Sequence, residues 1–305
     1  MRHDLSFLYG FVTNAPRIVT NEDGSYQYGM VYISVIRGKR DVGDNLHYIK
    51  VDSPLIMTQE PEICKKMETL KEGDIVYIKG VIACKNINKT SFCSNEECKE
   101  KNVVAGSLVY VNPLYLDLRG HEDSKEKCIQ HLQEHQEISN EAYVLGTLCR
   151  DPKKINTKNS LVVTQYQIAL NRKYRIRTDP PEIKSDYPWV KSYGENAVED
   201  RKRLHVGSVV FIDGYLQART VHRKTICPHC GNPYIWNDKA MEIVPYETEY
   251  MPGTFYTDEE IEANEAKKLE DIKKSIFFDP NATAEAAEKY GEYDQIDENM
   301  SEDDD

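Results

Sequence analysis

An internal repeat constrains the fold of this chain more than any other feature. Two segments share one plan, in which an apolar strand runs between two glycines and is followed by a basic stretch and a cysteine pair. Matching positions lie a constant 134 residues apart, without a gap: Gly73, Gly80 and Cys93 in the first segment, and Gly207, Gly214 and Cys227 in the second. This agreement predicts two similar domains, because each repeat is one structural unit.

Five short strands are predicted in each repeat. A strand containing glycine and a turn marked by proline open each copy, so that Gly10 and Pro16 recur 136 residues later. A helical pattern of Ile63, Met67 and Leu70 lies between the third and fourth strands. This order is typical of the OB-fold, a five-stranded Greek-key barrel. We therefore predict an all-β chain of two tandem OB-fold barrels.

Domain boundaries follow from the same register. The predicted parts are a first barrel (1–119), a linker (120–140), a second barrel (141–252), a helical segment (253–278) and a disordered acidic tail (279–305). Thr257 and Glu260 have the spacing of a capping box, which predicts the start of the helical segment. Acidic low-complexity composition after it favours disorder.

The net charge of −12 conceals two different parts of the chain. Residues 251–305 contain 18 acidic and 5 basic side chains, so the preceding residues sum to +1. A body that is neutral to basic indicates a polyanionic partner, although a solvated surface without a partner has the same composition. Apolar runs are shorter than the roughly 18 residues that a membrane span needs, and no signal region follows Met1. We therefore expect a cytoplasmic protein that makes no membrane contact.

Aromatic and basic residues cluster in the second repeat. Alternate residues of a strand share a face. Tyr187, Trp189 and Tyr193 are therefore predicted to project on one side of a strand, together with Lys191. Such rings stack unpaired bases while cations follow the phosphates; the alternative is that these rings belong to the core. We favour binding. The candidate residues are Arg172, Lys173, Tyr174, Arg175, Arg177, Tyr187, Trp189, Lys191, Tyr193 and Arg219, with Arg37, Lys39, Arg40, Tyr48 and Lys50 in the first repeat.

The paired cysteines predict metal binding, since close pairs in a reducing compartment more often hold metal than form disulfides. The sequence permits one structural zinc site that joins the repeats, separate sites in each repeat, or no metal. A shared site would use Cys93, Cys98, Cys227 and Cys230, whereas separate sites would be completed by Cys84, His222 or His229. A filled tetrahedral shell leaves no position for water, so the zinc would be structural.

An enzymatic role is not expected. Cys227 and Cys230 have the spacing of a thiol oxidoreductase site, but that chemistry needs the first cysteine at a helix N-terminus. Pro233 follows too closely for such a helix. The sequence also shows no Ser-His-Asp order and no glycine loop that would cradle phosphate. We predict a binding protein.

Most of the second repeat resembles the bacterial single-stranded-DNA-binding protein family. The matching segments are VLGTLCRDP (144–152), QIALNR (167–172) and GSVVFIDGYLQAR (207–219), together with Trp189. The resemblance implies an OB barrel that coats single strands exposed in replication, recombination or repair. It also implies stacking roles for Tyr174 and Trp189 and, across a two-residue gap, for Tyr193.

The resemblance implies partners as well. The family usually has one barrel per chain and assembles as a tetramer, so two fused barrels imply a pseudo-dimer and a homo-oligomer such as a dimer of pseudo-dimers. An acidic tail in the family recruits replication and recombination proteins, and the tail here lacks the usual Pro-Phe end. We predict sequence-nonspecific binding of single-stranded DNA. The alternatives are an OB-fold component of a primosome, an RNA-binding factor, or an assembly adaptor whose barrels contact proteins.

Overall fold

The computed structural model describes residues 3–42, 49–155, 161–176 and 179–278. The first repeat contains β1 (Asp4–Val12), β2 (Arg17–Thr20), β3 (Tyr26–Ile36), α1 (Lys39–Val42), β4 (Val51–Asp52), β5 (Leu55–Thr58), α2 (Pro61–Glu68), β6 (Asp74–Phe92) and β7 (Lys101–His121). The connecting segment forms α3 (Lys125–Glu134) and a 3-10 turn (Gln136–Ile138). The second repeat contains β8 (Asn140–Leu148), β9 (Lys153–Ile155), β10 (Val163–Asn171), β11 (Ser185–Asp186), β12 (Trp189–Tyr193), α4 (Gly194–Arg203), β13 (Val209–Ile226) and β14 (Pro233–Tyr250), and α5 (Asp258–Phe278) follows it.

Each repeat closes into a five-stranded barrel, which confirms the predicted OB-fold class. In the first barrel β1 pairs with β3 and β6, β3 pairs with β5, and β6 pairs with β7. A parallel pair between β5 and β7 closes the ring at Ile56 and Val111. The second barrel repeats this order, and its parallel closure lies at Val190 and Ile243. Helices α2 and α4 occupy the predicted place before the fourth barrel strand.

Equivalent apolar residues fill the two barrels. The buried core includes Leu8, Ile33, Ile56, Ile78 and Val111 in the first barrel and Val144, Ile168, Val190, Ile212 and Ile243 in the second. Gly10 lies where β1 curves closely over its neighbour, and a Cβ there would stand 2.5 Å from the Ser34 carbonyl oxygen. This close approach explains why a glycine is needed at that point of the strand.

Direct strand pairing joins the two barrels. β1 and β8 run antiparallel, with Asp4 opposite Val144 and Leu8 opposite Asn140. The result is one continuous sheet across both barrels in the order β14–β13–β8–β1–β6–β7. Main-chain hydrogen bonds therefore hold the two repeats in a fixed relation, which the repeat pattern alone did not specify.

Two long hairpins extend beyond the barrels. We call residues 83–92 with 101–110 arm 1, and residues 217–226 with 233–242 arm 2; each is a continuous antiparallel ladder of β6 with β7 or of β13 with β14. The cysteine pairs lie at the two tips. At the other end of the chain, Thr257 and Glu260 exchange the two hydrogen bonds of a capping box as α5 begins. None of the described helices has the length and apolar character to cross a membrane.

A buried carboxyl in β1 makes the stability of the fold depend on pH. Asp4 is 1% exposed and accepts a hydrogen bond from the Ile82 N–H at 2.9 Å. Its counterpart in β8 is Asn140, which both accepts from the Leu216 N–H and donates to the Leu216 carbonyl oxygen. Burial raises the pKa of Asp4 from 3.8 to about 7. The folded state therefore keeps this proton at pH values where the unfolded chain has lost it.

We expect Asp4→Asn to stabilise the chain at high pH. With a folded pKa above the unfolded one, stability falls as pH rises from about 4 to 7 and stays reduced above that window. The amide removes the ionisation, so the free energy of unfolding should rise by on the order of 2 kcal/mol at pH 8 and change little at pH 4. Urea unfolding at both pH values measures this, with Glu22→Gln as an exposed control; equal effects at both pH values would contradict it.

Candidate nucleic-acid interface and thiol cluster

Strand β12 presents its predicted residues on the outside of the second barrel, but arm 2 covers two of the three. Trp189 is half-buried, and the guanidinium of Arg150 lies 5.7 Å from its ring centre. Lys191 is fully buried, with its Nζ 4.0 Å from a Glu242 carboxylate oxygen. Tyr193 donates a hydrogen bond to Gln217 at 2.8 Å. Trp189 and Tyr193 are therefore both half-buried, and Tyr193 is joined to arm 2 through its hydroxyl group.

Arg219 lies on the same side of the barrel and is bound to Glu242. Two hydrogen bonds of 3.0 Å join its guanidinium to both carboxylate oxygens. Although burial opposes it, these bonds and the nearby Lys191 lower the pKa of Glu242. The Glu242 carboxylate is thus shared by two cations, Lys191 and Arg219. These three charged groups lie beside Trp189.

The basic loop after β10 divides into a buried anchor and exposed residues. Arg172 is 9% exposed and binds the carboxylates of Asp186 and Asp179. Ile176 is buried against Leu55 and Tyr110 of the first repeat. Between these anchors Lys173 and Arg175 are exposed and Tyr174 is half-buried, with the Lys173 ammonium 5.7 Å from the Tyr174 ring centre. The loop is therefore seated on the other barrel.

The ion pair of Arg172 and Asp186 also contacts arm 1, which extends from the first barrel. Asp186 accepts a hydrogen bond of 2.7 Å from the backbone N–H of Cys84. The first repeat mirrors this contact, because Asp52 binds Arg37 and accepts from the Ala218 N–H at 3.0 Å. Each barrel thus uses one buried arginine–aspartate pair to fix the arm that extends from the other barrel.

The remaining predicted residues of the first repeat lie near the barrel junction or on the surface. Arg40 makes two hydrogen bonds to Asp213 and lies 4.2 Å from the ring centre of Tyr246. Lys39 and Lys50 are exposed, as is Tyr187 in the second repeat. Tyr48 and Arg177 lie outside the described residues. The candidate set is therefore not one continuous surface in the described part of the chain.

A cleft of about 490 Å³ brings part of the set together between the two arms and the second barrel. Trp189, Lys191 and Arg219 line it, as does Trp236 of arm 2, which the sequence analysis did not single out. Among the described lining residues the cations are Lys89, Lys191, Arg219, Arg223 and Lys239, and the carboxylates are Asp238 and Glu242. Cations outnumber carboxylates, so the cleft favours an anionic ligand.

The alternation of residues along β14 gives a sequence signal for Trp236, but this signal does not show what the residue contacts. Trp236 alternates with Tyr234 and Asp238 along β14, so the three share one face of the arm. Alternation shows that residues share a face, but only the position of arm 1 shows that this face borders a cleft.

The four paired cysteines meet where the arm tips touch. Their Sγ atoms all lie within 4.8 Å of one another. Two of the sulfur–sulfur distances between the arms are 3.7 Å, from Cys93 to Cys230, and 3.9 Å, from Cys98 to Cys227. In the described part of the chain this group contains neither Cys84 nor His222 nor His229. Of the arrangements that the sequence permitted, the geometry corresponds to a single shared site.

The thiol geometry fits a tetrahedral metal ion. Zinc–sulfur bonds of about 2.3 Å separate neighbouring sulfurs by roughly 3.8 Å, close to the two measured contacts. Asn102 donates from its amide nitrogen towards the Cys227 sulfur at 3.6 Å, a contact that favours a thiolate. Ser91 and Tyr234 hydrogen-bond beside the cluster at 2.7 Å. The four cysteines can therefore hold one metal ion between the arms.

Comparison with known proteins finds a family match for part of the chain and a structural similarity over most of it. Residues 139–226 match the family described as "Single-strand binding protein family". No curated protein matches the chain. The wild-type single-stranded DNA binding protein from Thermus aquaticus is similar in structure, with a TM-score of 0.52 and 14% sequence identity over 82% of this chain and 94% of that chain.

A deletion mutant of the Thermus aquaticus protein gives a TM-score of 0.50 at 14% identity, over 84% of this chain and 98% of that chain. At this identity the similarity shows the fold, and its extent exceeds either barrel alone. The chain therefore has two OB-fold barrels in tandem, and residues 139–226, most of the second barrel, match the model of the single-strand binding protein family.

Proposed function

We propose that this protein binds single-stranded DNA without sequence preference, in the cleft between the arms and the second barrel. The observation that carries the proposal is the half-buried ring of Trp189 beside a cleft in which cations exceed carboxylates. An unpaired base stacks on the ring while the cations neutralise phosphates, a combination that needs no base-specific hydrogen bonds. We also assign Lys173, Tyr174, Arg175 and Tyr187, which do not line the cleft, as further contacts for the strand. The processes that expose such strands are replication, recombination and repair.

Titration with oligo-dT tests this proposal through intrinsic tryptophan fluorescence. We expect quenching on binding, a dissociation constant that rises steeply with salt, and poor competition by duplex DNA. Trp189→Ala should weaken binding by about 5- to 150-fold, the equivalent of roughly 1 to 3 kcal/mol for one stacked base. Tyr26→Ala, on a distant part of the first barrel, should leave the affinity unchanged.

Two results would redirect the proposal. Tighter binding of oligo-rU than of oligo-dT would favour an RNA-binding factor. If oligo-dT leaves the tryptophan fluorescence unquenched at both low and high salt, the result would favour an assembly adaptor that uses the barrels for protein contacts.

We further propose that the four thiolates hold one structural zinc ion. Support comes from the spacing of the sulfurs and from the position of the cluster, which joins hairpins from two different barrels. The zinc would keep the arms together above the cleft and leave no coordination position for catalysis.

We also infer that the chain self-associates as a dimer of pseudo-dimers. The outer face of the joined sheet carries half-buried apolar and aromatic residues from both barrels: Leu5, Phe7, Tyr77, Tyr143, Leu145 and Phe211. Contiguous apolar surface of this kind commonly marks an interface. Light scattering should give twice the mass of one chain, and a monomer at micromolar concentration would contradict the inference. The acidic tail, which we propose as a contact for replication or recombination proteins, lies outside the described residues.

A further inference from the structure

The second tryptophan of the chain, Trp236, lines the same cleft from arm 2. Trp236 is half-buried on β14 and lies opposite Arg223 of β13 in the arm 2 ladder. Tyr234 and Asp238, two residues to either side, are buried, so this face of arm 2 is directed inward. Ile235, on the other face, is 54% exposed. The indole therefore points toward the space between the arms.

Arm 1 contributes small side chains to this part of the cleft. In the repeat register the counterparts of Trp236 and Asp238 are Val104 and Gly106, which lie 132 residues earlier. A valine and a glycine fill much less volume than an indole and a carboxylate. Both residues line the cleft together with Trp236. The two repeats therefore differ here, because the side chain of Lys89 packs over Gly106 in arm 1, where arm 2 has Asp238.

Arm 1 also contributes charge at this level. The ammonium of Lys89 bonds to Asp238, and Arg223 contacts the other oxygen of the same carboxylate at 3.2 Å. These two cations share one carboxylate, so a net positive charge stands beside the indole. Lys239, the next residue along β14, adds another cation at the cleft margin. An aromatic face flanked by cations is suited to a base and its phosphate.

The cysteine cluster sets the position of Trp236. The indole packs against the group formed by Cys93, Cys227 and Tyr234 at the arm tips. A displacement of either arm tip would move this support, whereas Trp189 is held by the second barrel, where β12 pairs with β10. The two rings of the cleft thus have independent supports.

We propose that Trp236 is a second base-stacking residue, so that one unpaired strand passes between an indole on the barrel and an indole on arm 2. This inference rests on the proposed single-strand binding and specifies how the strand is held. The thiolate centre acts as a positioning element for Trp236 and leaves Trp189 unaffected. A duplex cannot use the arrangement, because its bases are already stacked and paired.

The chain contains two tryptophans, so single replacements isolate each signal. Trp189→Phe leaves Trp236 as the reporter, and Trp236→Phe leaves Trp189. We expect oligo-dT to quench the fluorescence of both variants. If anisotropy of labelled oligo-dT shows binding while the Trp236 emission is unchanged, the inference is wrong and single-strand binding stands. If labelled oligo-dT binds neither the wild-type chain nor the variants, the proposed function fails.

Affinity and metal dependence provide a second measurement. Trp236→Ala should weaken oligo-dT binding by about 5- to 150-fold, while Trp236→Phe, which keeps an aromatic face, should lose much less. Ile235→Ala, the adjacent residue on the outer face of the same arm, should bind like the wild type. Removal of metal with a chelator should abolish the quenching of Trp236 and preserve that of Trp189. Equal loss of both signals would overturn the positioning role of the thiolate centre.

Discussion

Replacing Asp186 with alanine should destabilise this protein by about 3 kcal/mol or more, the cost of leaving one partner of a buried ion pair uncompensated. Asp186 is 1% exposed and binds both Arg172 and the Cys84 backbone N–H. Without it, Arg172 loses the contact with Asp186 while its contact with Asp179 remains, and the Cys84 N–H in the arm loses its acceptor. Thermal and urea unfolding should both detect the change. Because the same carboxylate fixes arm 1, faster amide exchange along residues 83–92 should accompany it.

An exposed ion pair gives the matched control. Arg40 and Asp213 have similar bidentate geometry, but their side chains are 45% and 27% exposed. Asp213→Ala should therefore cost less than about 1 kcal/mol. Asp52→Ala, which removes the mirrored contact to Ala218, should resemble Asp186→Ala. If Asp186→Ala and Asp213→Ala have the same small effect, the buried pairs do not hold the arms.

Loss of one thiolate should release the metal and loosen both arm tips together. Cys227→Ser removes one of the four proposed ligands, and a ligand set of three thiolates holds zinc much less tightly. A metal present at a thousandfold above its dissociation constant stabilises its site by about 4 kcal/mol. Amide exchange at residues 93–100 and 227–232 should accordingly become faster by about a thousandfold. The faster exchange at residues 93–100 is the test of a shared site, because the substitution itself lies in arm 2 and these residues belong to the tip of arm 1.

The control for this experiment is Cys149→Ser, because Cys149 is exposed and lies outside the thiol cluster. Wild type and Cys149→Ser should each release one zinc per chain in a colorimetric assay, and Cys227→Ser should release little. Exchange that accelerates only at residues 227–232 would point to separate sites. Wild-type protein purified without any tetrahedral metal would refute the zinc proposal.

Local pattern was enough to predict the barrels. Gly10 and its counterpart Gly146 mark equivalent points of the first strand, and the apolar alternation of the following strands sets which side chains face inward. These signals depend on residues near one another in the chain, and duplication supplies each of them twice. The cysteine spacing likewise indicated a metal site, but spacing within one hairpin cannot say whether the other hairpin completes it.

The candidate interface was harder to predict, because the sequence does not show whether a basic side chain binds a phosphate of the ligand or a carboxylate of the protein. Arg172 and Lys173 are adjacent in the sequence, yet one is buried against Asp186 and the other is exposed. Asp186 follows Arg172 by 14 residues, and strand pairing between β10 and β11 brings them together. Such a pairing depends on the register of the whole barrel.

By itself the sequence determined two OB-fold barrels, the order of their strands and the presence of paired thiols. Those features follow from short-range periodicity and from turns, which act within a few residues. The tertiary structure alone decided that each barrel holds the other's arm, that four thiols converge, and that Trp189 and Trp236 line one cleft. These contacts join residues more than 40 positions apart, and their geometry depends on how β1 and β8 align the two barrels.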